Sequence, residues 1–289
     1  MPQIISTILD TAIFLFAGEP SQPVGTAFIV GFPIKGREGE AVPLVVTAKH
    51  VAADHSRLLG RFSTQSGTST AFVAYDIPDL KSHGDYWEHS DDGVDIVVFR
   101  SPHYQQTKYE AVPFNVIASR DILKEEDIAP SDRIVFPGLL VNFVGSARNY
   151  PVLRNGAIAL IPEEKVPLRF TVGKRVINTQ QEVLFLDATS IPGASGSPVF
   201  LWPGPRIKGN AFAIGGGPAY LLGVMHGFYP AAPREIVEVE TAGTIKMYAE
   251  NSGIAIVFPS WRLLEILDRE DLKKRIEELA AALPPKNVA

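Results

Sequence analysis

Residues 192–198 read Pro192-Gly193-Ala194-Ser195-Gly196-Ser197-Pro198, and a strand-like apolar run, Val199-Phe200-Leu201, follows them directly. Glycines at 193 and 196 allow backbone conformations that a Cβ would forbid, so the turn can expose the hydroxyl of Ser195. The same turn can direct the N–H groups of Gly193 and Ser195 at one point, which is what an oxyanion hole requires. An ordinary Gly/Ser turn between two strands would have the same composition, so this segment alone leaves both interpretations open.

Two further segments supply the partners that a serine nucleophile needs. The apolar segment 44–51 ends a predicted strand at His50, and the segment 93–99 begins another with Asp95. A nucleophilic hydroxyl needs an imidazole to take its proton and a carboxylate to fix the tautomer of that imidazole. The three residues occur in the order His, Asp, Ser, with separations of 45 residues (50 to 95) and 100 residues (95 to 195).

The order of these segments and the residues in them resemble the trypsin/chymotrypsin-like serine peptidases, most closely their bacterial trypsin-like members. Three blocks carry the resemblance: Thr47-Ala48-Lys49-His50-Val51, Asp95-Ile96-Val97-Val98 and Gly193-Ala194-Ser195-Gly196-Ser197-Pro198. Softer matches lie at residues 25–30, 223–227 and 251–256, so the resemblance covers about residues 10–270. It implies an all-β chain of two six-stranded antiparallel β-barrels with a C-terminal α-helix.

That resemblance also implies a division of the chain and a role for each site residue. We expect an N-terminal barrel over residues 1–118, a connection over 119–131, a C-terminal barrel over 132–259 and a helical segment over 260–289. Ser195 would attack the scissile carbonyl, His50 would act as the base and Asp95 would orient it. The N–H groups of Gly193 and Ser195 would form the oxyanion hole, and the chain would be a serine endopeptidase.

Short apolar runs broken by Gly, Pro, Asn and Asp predict many short strands. We expect them near residues 11–17, 25–32, 42–48, 70–76, 95–100, 112–117, 133–136, 139–144, 152–161, 167–175, 183–188, 198–202, 219–226 and 254–258. Apolar residues recur at helical spacing over 261–283. There Ser260 is a candidate N-cap, residues 268–271 a candidate break and Pro284-Pro285 the stop.

Each assignment has a competitor in the sequence. Ser197 lies in the same turn as Ser195, but the family places the nucleophile before the glycine. Asp91 and Asp92 lie close to Asp95 in a polar run that we expect to be solvated. His55 follows His50 by five residues and lacks the strand context.

Substrate preference is weakly encoded. By the resemblance, Thr189 and Ser190 fall at the floor of the primary pocket and His226 on the strand beside it. No acid occupies the floor, which argues against a Lys/Arg preference unless the nearby Asp187 points inward, and leaves small, apolar and acidic side chains open. Ala194 stands where animal trypsins carry an Asp that pairs with a newly cut N-terminus, so we expect no activation by such a cut.

Composition and motifs argue against binding of nucleic acids, cofactors and metals. The net charge is −5, from 27 basic and 32 acidic residues, without a Lys/Arg block, so we expect no nucleic-acid partner. We expect no cofactor, because Gly215-Gly216-Gly217 lacks the Lys-Ser/Thr of a phosphate loop. We also expect no metal, because no helical His pair or Cys frames the His and Asp residues of 83–91.

The sequence also gives expectations about the location of the chain in the cell and about its partners. Cysteine is absent, the N-terminal run lacks a basic n-region, and no apolar run reaches the length of a membrane span. We therefore expect a cytoplasmic chain that acts on a polypeptide and does not contact a membrane. Two alternatives stay open: a protease-fold binding protein, and an enzyme that an activating protein partner switches on.

Overall fold

The computed structural model describes residues 3–102, 107–209, 211–213, 217–230 and 251–282 of the chain. Strands dominate this part of the chain, and most of them belong to two large sheets that follow one another in sequence. The predicted stop at Pro284-Pro285 and the glycines Gly215-Gly216 lie outside the described residues. Within the described ranges, no helix is long and apolar enough to cross a membrane.

The first sheet belongs to the N-terminal part of the chain. Its strands are β1 (Ala12–Ala17), β2 (Pro23–Pro33), β3 (Ala41–Thr47), β4 (Arg57–Thr64), β5 (Thr70–Asp76), β6 (Tyr86–Glu88), β7 (Val97–Arg100), β8 (Thr107–Lys108) and β9 (Val112–Pro113). The main path runs β5-β4-β1-β2-β3-β7-β6, with β8 beside β4 and β9 beside β2. The sheet curls into a half-barrel, so it differs from the closed six-stranded barrel that we expected in both closure and strand number.

Helices in this part are short. They are α1 (Gln3–Asp10), α2 (Lys49–Ala52) and α3 (Ile77–Ser82), and a 3-10 turn follows at Phe114–Val116. The strand β1 shows why the sheet is apolar on both faces. Ile13 and Leu15 face the interior of the curled sheet, whereas Phe14 and Phe16 pack on the opposite face against Leu139. Since alternate side chains of a strand point to opposite faces, a strand buried on both faces is apolar throughout.

The connection between the sheets contains the helix α4 (Arg120–Glu125). Ser119 caps it, because its Oγ accepts a hydrogen bond of 3.2 Å from the N–H of Ile122. The helical tendency expected for this connection is therefore confirmed. The proposed domain boundaries themselves stay a prediction.

The second sheet is a closed barrel in the order β10-β11-β14-β19-β18-β15. The strands of this half are β10 (Arg133–Gly138), β11 (Val152–Leu160), β12 (Val166–Val172), β13 (Arg175–Gln181), β14 (Leu184–Asp187), β15 (Pro198–Leu201), β16 (Arg206–Lys208), β17 (Ala211–Ala213), β18 (Leu221–Pro230) and β19 (Asn251–Pro259). The barrel is filled by a buried apolar cluster that includes Phe136, Leu186, Val199 and Val257. The six-stranded barrel expected here is confirmed.

Two segments of this half differ from the prediction. Residues 139–144 form no strand, and Leu139 instead packs against β1. The single strand expected at 167–175 is the hairpin β12–β13, because the chain reverses at Gly173, whose φ is +61°. The hairpin stands outside the barrel and lies against α2 of the first half.

Two helices end the described chain, α5 (Ser260–Leu267) and α6 (Glu270–Ala282). The break between them falls within the predicted interval 268–271. Ser260 is the first residue of α5 rather than its N-cap, and its hydroxyl donates 2.5 Å to the carbonyl of Ala118. The buried residues Leu263, Ile266 and Leu272 join these helices to the main apolar core.

Candidate active site

Asp95 is the most enclosed residue of the candidate site, with 1% of its surface exposed. Its Oδ1 accepts a hydrogen bond of 2.8 Å from the main-chain N–H of His50. Its Oδ2 lies 2.6 Å from Nδ1 of His50 and 2.5 Å from Nδ1 of His226. A buried carboxylate needs such partners, because an unpaired charge in the interior is costly.

Strand pairing explains why His50 and Asp95 meet. β3 and β7 are antiparallel neighbours in which Thr47 pairs with Val97. Because the strands run in opposite directions, the residues after β3 and those before β7 lie at the same sheet edge. His50 follows β3 on the short helix α2, and Asp95 precedes β7.

The charges of this pair reinforce each other. Burial alone would raise the pKa of Asp95, but attraction to His50 and His226, with their hydrogen bonds, holds that pKa well below its usual range. Burial would lower the pKa of His50, but the charge and hydrogen bond of Asp95 outweigh it and raise that pKa above its usual value. Asp95 therefore stays ionised and stabilises a proton on His50, which suits an imidazole that must act as a base.

Ser195 lies on the tight turn that the glycines suggested. The values of φ are +96° at Gly193 and +84° at Gly196, a region that favours glycine. The N–H of Thr26 donates 2.9 Å to the carbonyl of Ser195, and the N–H of Gly196 donates 2.8 Å to that of Met225. The turn is thus held on one side by β2 of the first sheet and on the other by β18 of the barrel.

In this structure the hydroxyl of Ser195 donates a hydrogen bond of 2.9 Å to the carbonyl oxygen of His226. Within the described part of the chain, no hydrogen bond joins that hydroxyl to the ring of His50. The hydroxyl must therefore turn from that carbonyl before Nε2 of His50 can accept its proton. Such rotations of partly exposed side chains are fast compared with chemical turnover.

Main-chain donors in the turn fall into two groups. The N–H of Ala194 donates 3.0 Å to the carbonyl of Ile191, and that of Ser197 donates 3.0 Å to Ala194. By contrast, the N–H groups of Gly193 and Ser195 donate to no other described residue. These two are the groups predicted to bind an oxyanion, and they remain available for an outside oxygen.

His226 lies on β18, as expected, and its ring contacts Asp95 and His50; its role at the edge of the primary pocket stays a prediction. The pairing of β18 with β19 shifts between Met225 and Gly227, so His226 is the extra residue of a β-bulge. Its ring meets the edge of His50 at 5.3 Å and packs against Phe170 at 4.8 Å, measured between ring centroids. The contact with Asp95 was missed, because no sequence signal marks the bulge that redirects this side chain.

The two other predicted pocket residues lie just before the turn. Ser190 is buried, and its carbonyl accepts 2.7 Å from Nδ2 of Asn251. Thr189 is exposed, and its carbonyl accepts 3.3 Å from Nη1 of Arg154. Their role as the pocket floor stays a prediction.

The residues that competed with Ser195 and Asp95 in the sequence do not lie in the candidate site. Ser197 is fully buried, and its hydroxyl lacks a hydrogen-bond partner among the described residues, so substrate cannot reach it in this fold. Asp91 accepts 2.9 Å from Nε2 of Gln181, and Asp92 pairs with Lys49 and Arg175. Both residues are exposed, as expected, and their carboxylates also hold the hairpin β12–β13 to the first half.

Among the described residues, one group of side chains has the donors of a metal site. The ligand atoms of His50, Asp95 and His226 all lie within 4.8 Å of one another. The acidic and histidine residues of 83–91 are instead dispersed, because His89 pairs with Glu265 and Asp85 with Arg275. The site therefore combines a serine turn with a His–Asp–His cluster.

Comparisons with known proteins identify the fold. No protein-family model matches the sequence, and no curated protein matches it either. Among solved structures, the MamO protease domain from Magnetospirillum magneticum matches with a TM-score of 0.50 and 14% identity, over 92% of this chain and all of that domain. The HtrA-type protease AlgW with a decapeptide matches with a TM-score of 0.50 and 13% identity, over 95% of this chain and 66% of its own. The chain thus has the chymotrypsin-like fold of the trypsin-like serine peptidases.

Proposed function

We propose that the chain is a serine endopeptidase in which Ser195 is the nucleophile, His50 the general base and Asp95 the residue that orients the base. The observation that carries the proposal is the short contact of 2.6 Å between Nδ1 of His50 and Oδ2 of buried Asp95. It leaves Nε2 of His50 as the nitrogen available to a substrate-side partner. Ser195 lies between two glycines of positive φ, on a turn held between β2 and β18, and it supplies the hydroxyl in the proposed reaction.

The reaction follows from these positions. Oγ of Ser195 attacks the peptide carbonyl while its proton passes to Nε2 of His50, and Asp95 stabilises the resulting imidazolium. The N–H groups of Gly193 and Ser195 bind the oxyanion, each contributing on the order of 10²–10³ in rate. The C–N bond then breaks and His50 returns the proton to the leaving amine. Water then takes the place of the amine: it gives a proton to His50 and attacks the acyl carbon, the bond to Oγ of Ser195 breaks, and His50 returns the proton to Oγ.

Ala194 bears on how such an enzyme would be controlled. Its methyl group lies in the apolar core of the barrel with 1% of its surface exposed, so it offers no carboxylate to a new N-terminus. We infer that cleavage near the N-terminus is not the activating step. A chain carrying extra N-terminal residues should be as active as the untagged chain, whereas a strict need for trimming would refute this.

A second candidate rests on the orientation of Ser195. Its hydroxyl is bonded to the carbonyl of His226 and not to His50, which is the arrangement of a site at rest. A polypeptide partner or substrate that reorients the hydroxyl would then switch on an enzyme with low basal turnover. A protease-fold binding protein would keep the resting arrangement throughout.

The test is labelling by a fluorophosphonate, which reacts only with an activated serine. We expect labelling of the wild type, its loss in Ser195→Ala and in His50→Ala, and its retention in Ser197→Ala, the matched change in the same turn. Labelling that survives in Ser195→Ala would assign the nucleophile elsewhere. No labelling of folded wild type would favour the partner-activated or binding protein.

A further inference from the structure

The carboxylate of Asp95 is shared by two histidines from different halves of the chain. Nδ1 of His50 and Nδ1 of His226 lie 2.6 and 2.5 Å from the same oxygen, Oδ2. Orientation of a catalytic imidazole requires one such contact, so His226 supplies a second imidazole that the proposed reaction does not use. The three ligand atoms lie within 4.8 Å of one another.

We propose that His50, Asp95 and His226 form a binding site for a transition-metal dication of the Zn²⁺ type, and that the bound ion inhibits the site. Two imidazole nitrogens and one carboxylate oxygen, with water in the fourth position, form an established zinc donor set. Imidazole suits Zn²⁺, Cu²⁺ and Ni²⁺, whereas Mg²⁺ and Ca²⁺ prefer sites made of oxygen ligands. The negative charge of Asp95 balances part of the charge of the ion.

The atoms are close enough for such an ion after a small expansion. Zinc bonds of about 2.0–2.2 Å place two ligands of a tetrahedral ion about 3.3 Å apart. The nitrogen–oxygen distances of 2.6 and 2.5 Å must therefore widen by about 0.7–0.8 Å. The side chain of His50 is 25% exposed and that of His226 is 12% exposed, so both rings have solvent on one side into which they can turn. Phe170 and Phe258 line the other side of His226, which limits competition from water.

Inhibition follows from which ring nitrogen of His50 carries the proton, a step that rests on the proposed function. In the metal-free site, Nδ1 of neutral His50 carries the proton and donates it to Asp95, which leaves Nε2 free to accept the proton of Ser195. A metal bound through Nδ1 needs the lone pair of that nitrogen, so the proton moves to Nε2. His50 then keeps the same number of protons but can no longer act as the base.

The test uses the full-length chain without a histidine tag, and it measures binding apart from activity. Co²⁺ is titrated while visible absorption reports tetrahedral coordination, and Zn²⁺ is then added to displace it. We expect binding by wild type and by Ser195→Ala, which lacks the nucleophile but keeps all three ligands. His226→Ser, which removes one ligand and leaves the contact between His50 and Asp95 in place, should bind at least about 100-fold more weakly, as should His50→Ala. His83→Ala is the matched control, because it removes an exposed histidine paired with Asp79 and should bind as wild type does.

A peptide substrate supplies the second readout. Zn²⁺ should inhibit wild type and His83→Ala, with much weaker inhibition of His226→Ser. Metal binding to a chain without peptidase activity would support the site while refuting the proposed function. Equal Co²⁺ spectra in wild type and His226→Ser, no tetrahedral spectrum in wild type, or stimulation by Zn²⁺ would each overturn the metal proposal, whatever the peptidase activity.

Discussion

Replacing Gly196 by alanine is expected to weaken both the folded state and the reactivity of the site. A Cβ at this position would lie 2.0 Å from the carbonyl oxygen of Thr26 and 2.3 Å from Oγ1 of Thr47. Ordinary contacts begin near 3.4 Å, so the turn must move by about 1.4 Å (3.4 less 2.0) away from the first sheet. The φ of +84° adds strain for any residue that carries a Cβ.

The magnitude follows from these two effects. A positive φ costs a non-glycine residue about 1–2 kcal/mol, and overpacking in a tight site costs about 1–3 kcal/mol. The sum, about 2–5 kcal/mol, lowers the melting temperature by roughly 4–20 °C for a chain of this size class. Ser195 is the preceding residue, and a misplacement of about 1 Å costs about 100-fold in rate. We therefore expect a loss of about 100-fold in kcat/KM in whatever fraction stays folded.

The assay combines thermal unfolding, followed by circular dichroism, with the rate of fluorophosphonate labelling below the melting transition. Gly217→Ala is the control, because a Cβ there meets no described atom within 4 Å and φ lies outside the left-handed region. It should melt and react as wild type does. If Gly196→Ala melts at the same temperature as wild type and is labelled at the same rate, the turn does not approach the first sheet as closely as described.

Three further outcomes are expected. Asp95→Asn should lower kcat by about 10⁴, measured on folded protein, because the amide favours the wrong tautomer of His50. The rate should fall as the pH drops through the pKa of His50, which Asp95 raises above its usual value, since only the neutral ring is a base; an inflection below that usual value would contradict this. Thr26→Val should lower the free energy of unfolding in urea by about 2–6 kcal/mol, because Oγ1 of Thr26 donates 2.7 Å to the carbonyl of Gly193 and accepts 2.9 Å from the N–H of Leu139. Valine leaves both of these buried groups without a partner. An unchanged midpoint would mean that both groups find other partners.

Features governed by local sequence could be predicted from it. The apolar runs that end at His50 and begin near Asp95 indicate neighbouring strands, and their antiparallel pairing brings the two side chains together. The glycines around Ser195 likewise have the positive φ that the turn required. The roles of these residues in catalysis stay predictions.

Features governed by long-range contacts could not be predicted. The strand β4, in the middle of which Arg61 lies, was not predicted from the sequence. Arg61 is buried, and its guanidinium donates hydrogen bonds to the carbonyls of Val144 and Gly145. A charged residue in a strand usually indicates exposure, and only the folded chain shows the carbonyls that receive it. The direction of His226 depends in the same way on a bulge that the sequence does not mark.

Contacts that cross between the two sheets hold the candidate site together. Asp95 and His50 come from the first half of the chain, whereas Ser195 and His226 come from the second. The hydrogen bonds from Thr26 to Ser195 and from His226 to Asp95 both cross between the halves. Because the same contacts join the halves and align the reacting groups, a change that loosens the interface must also misalign the serine with its base. Any partner or ion that acts on this interface therefore acts on reactivity as well, without touching the substrate.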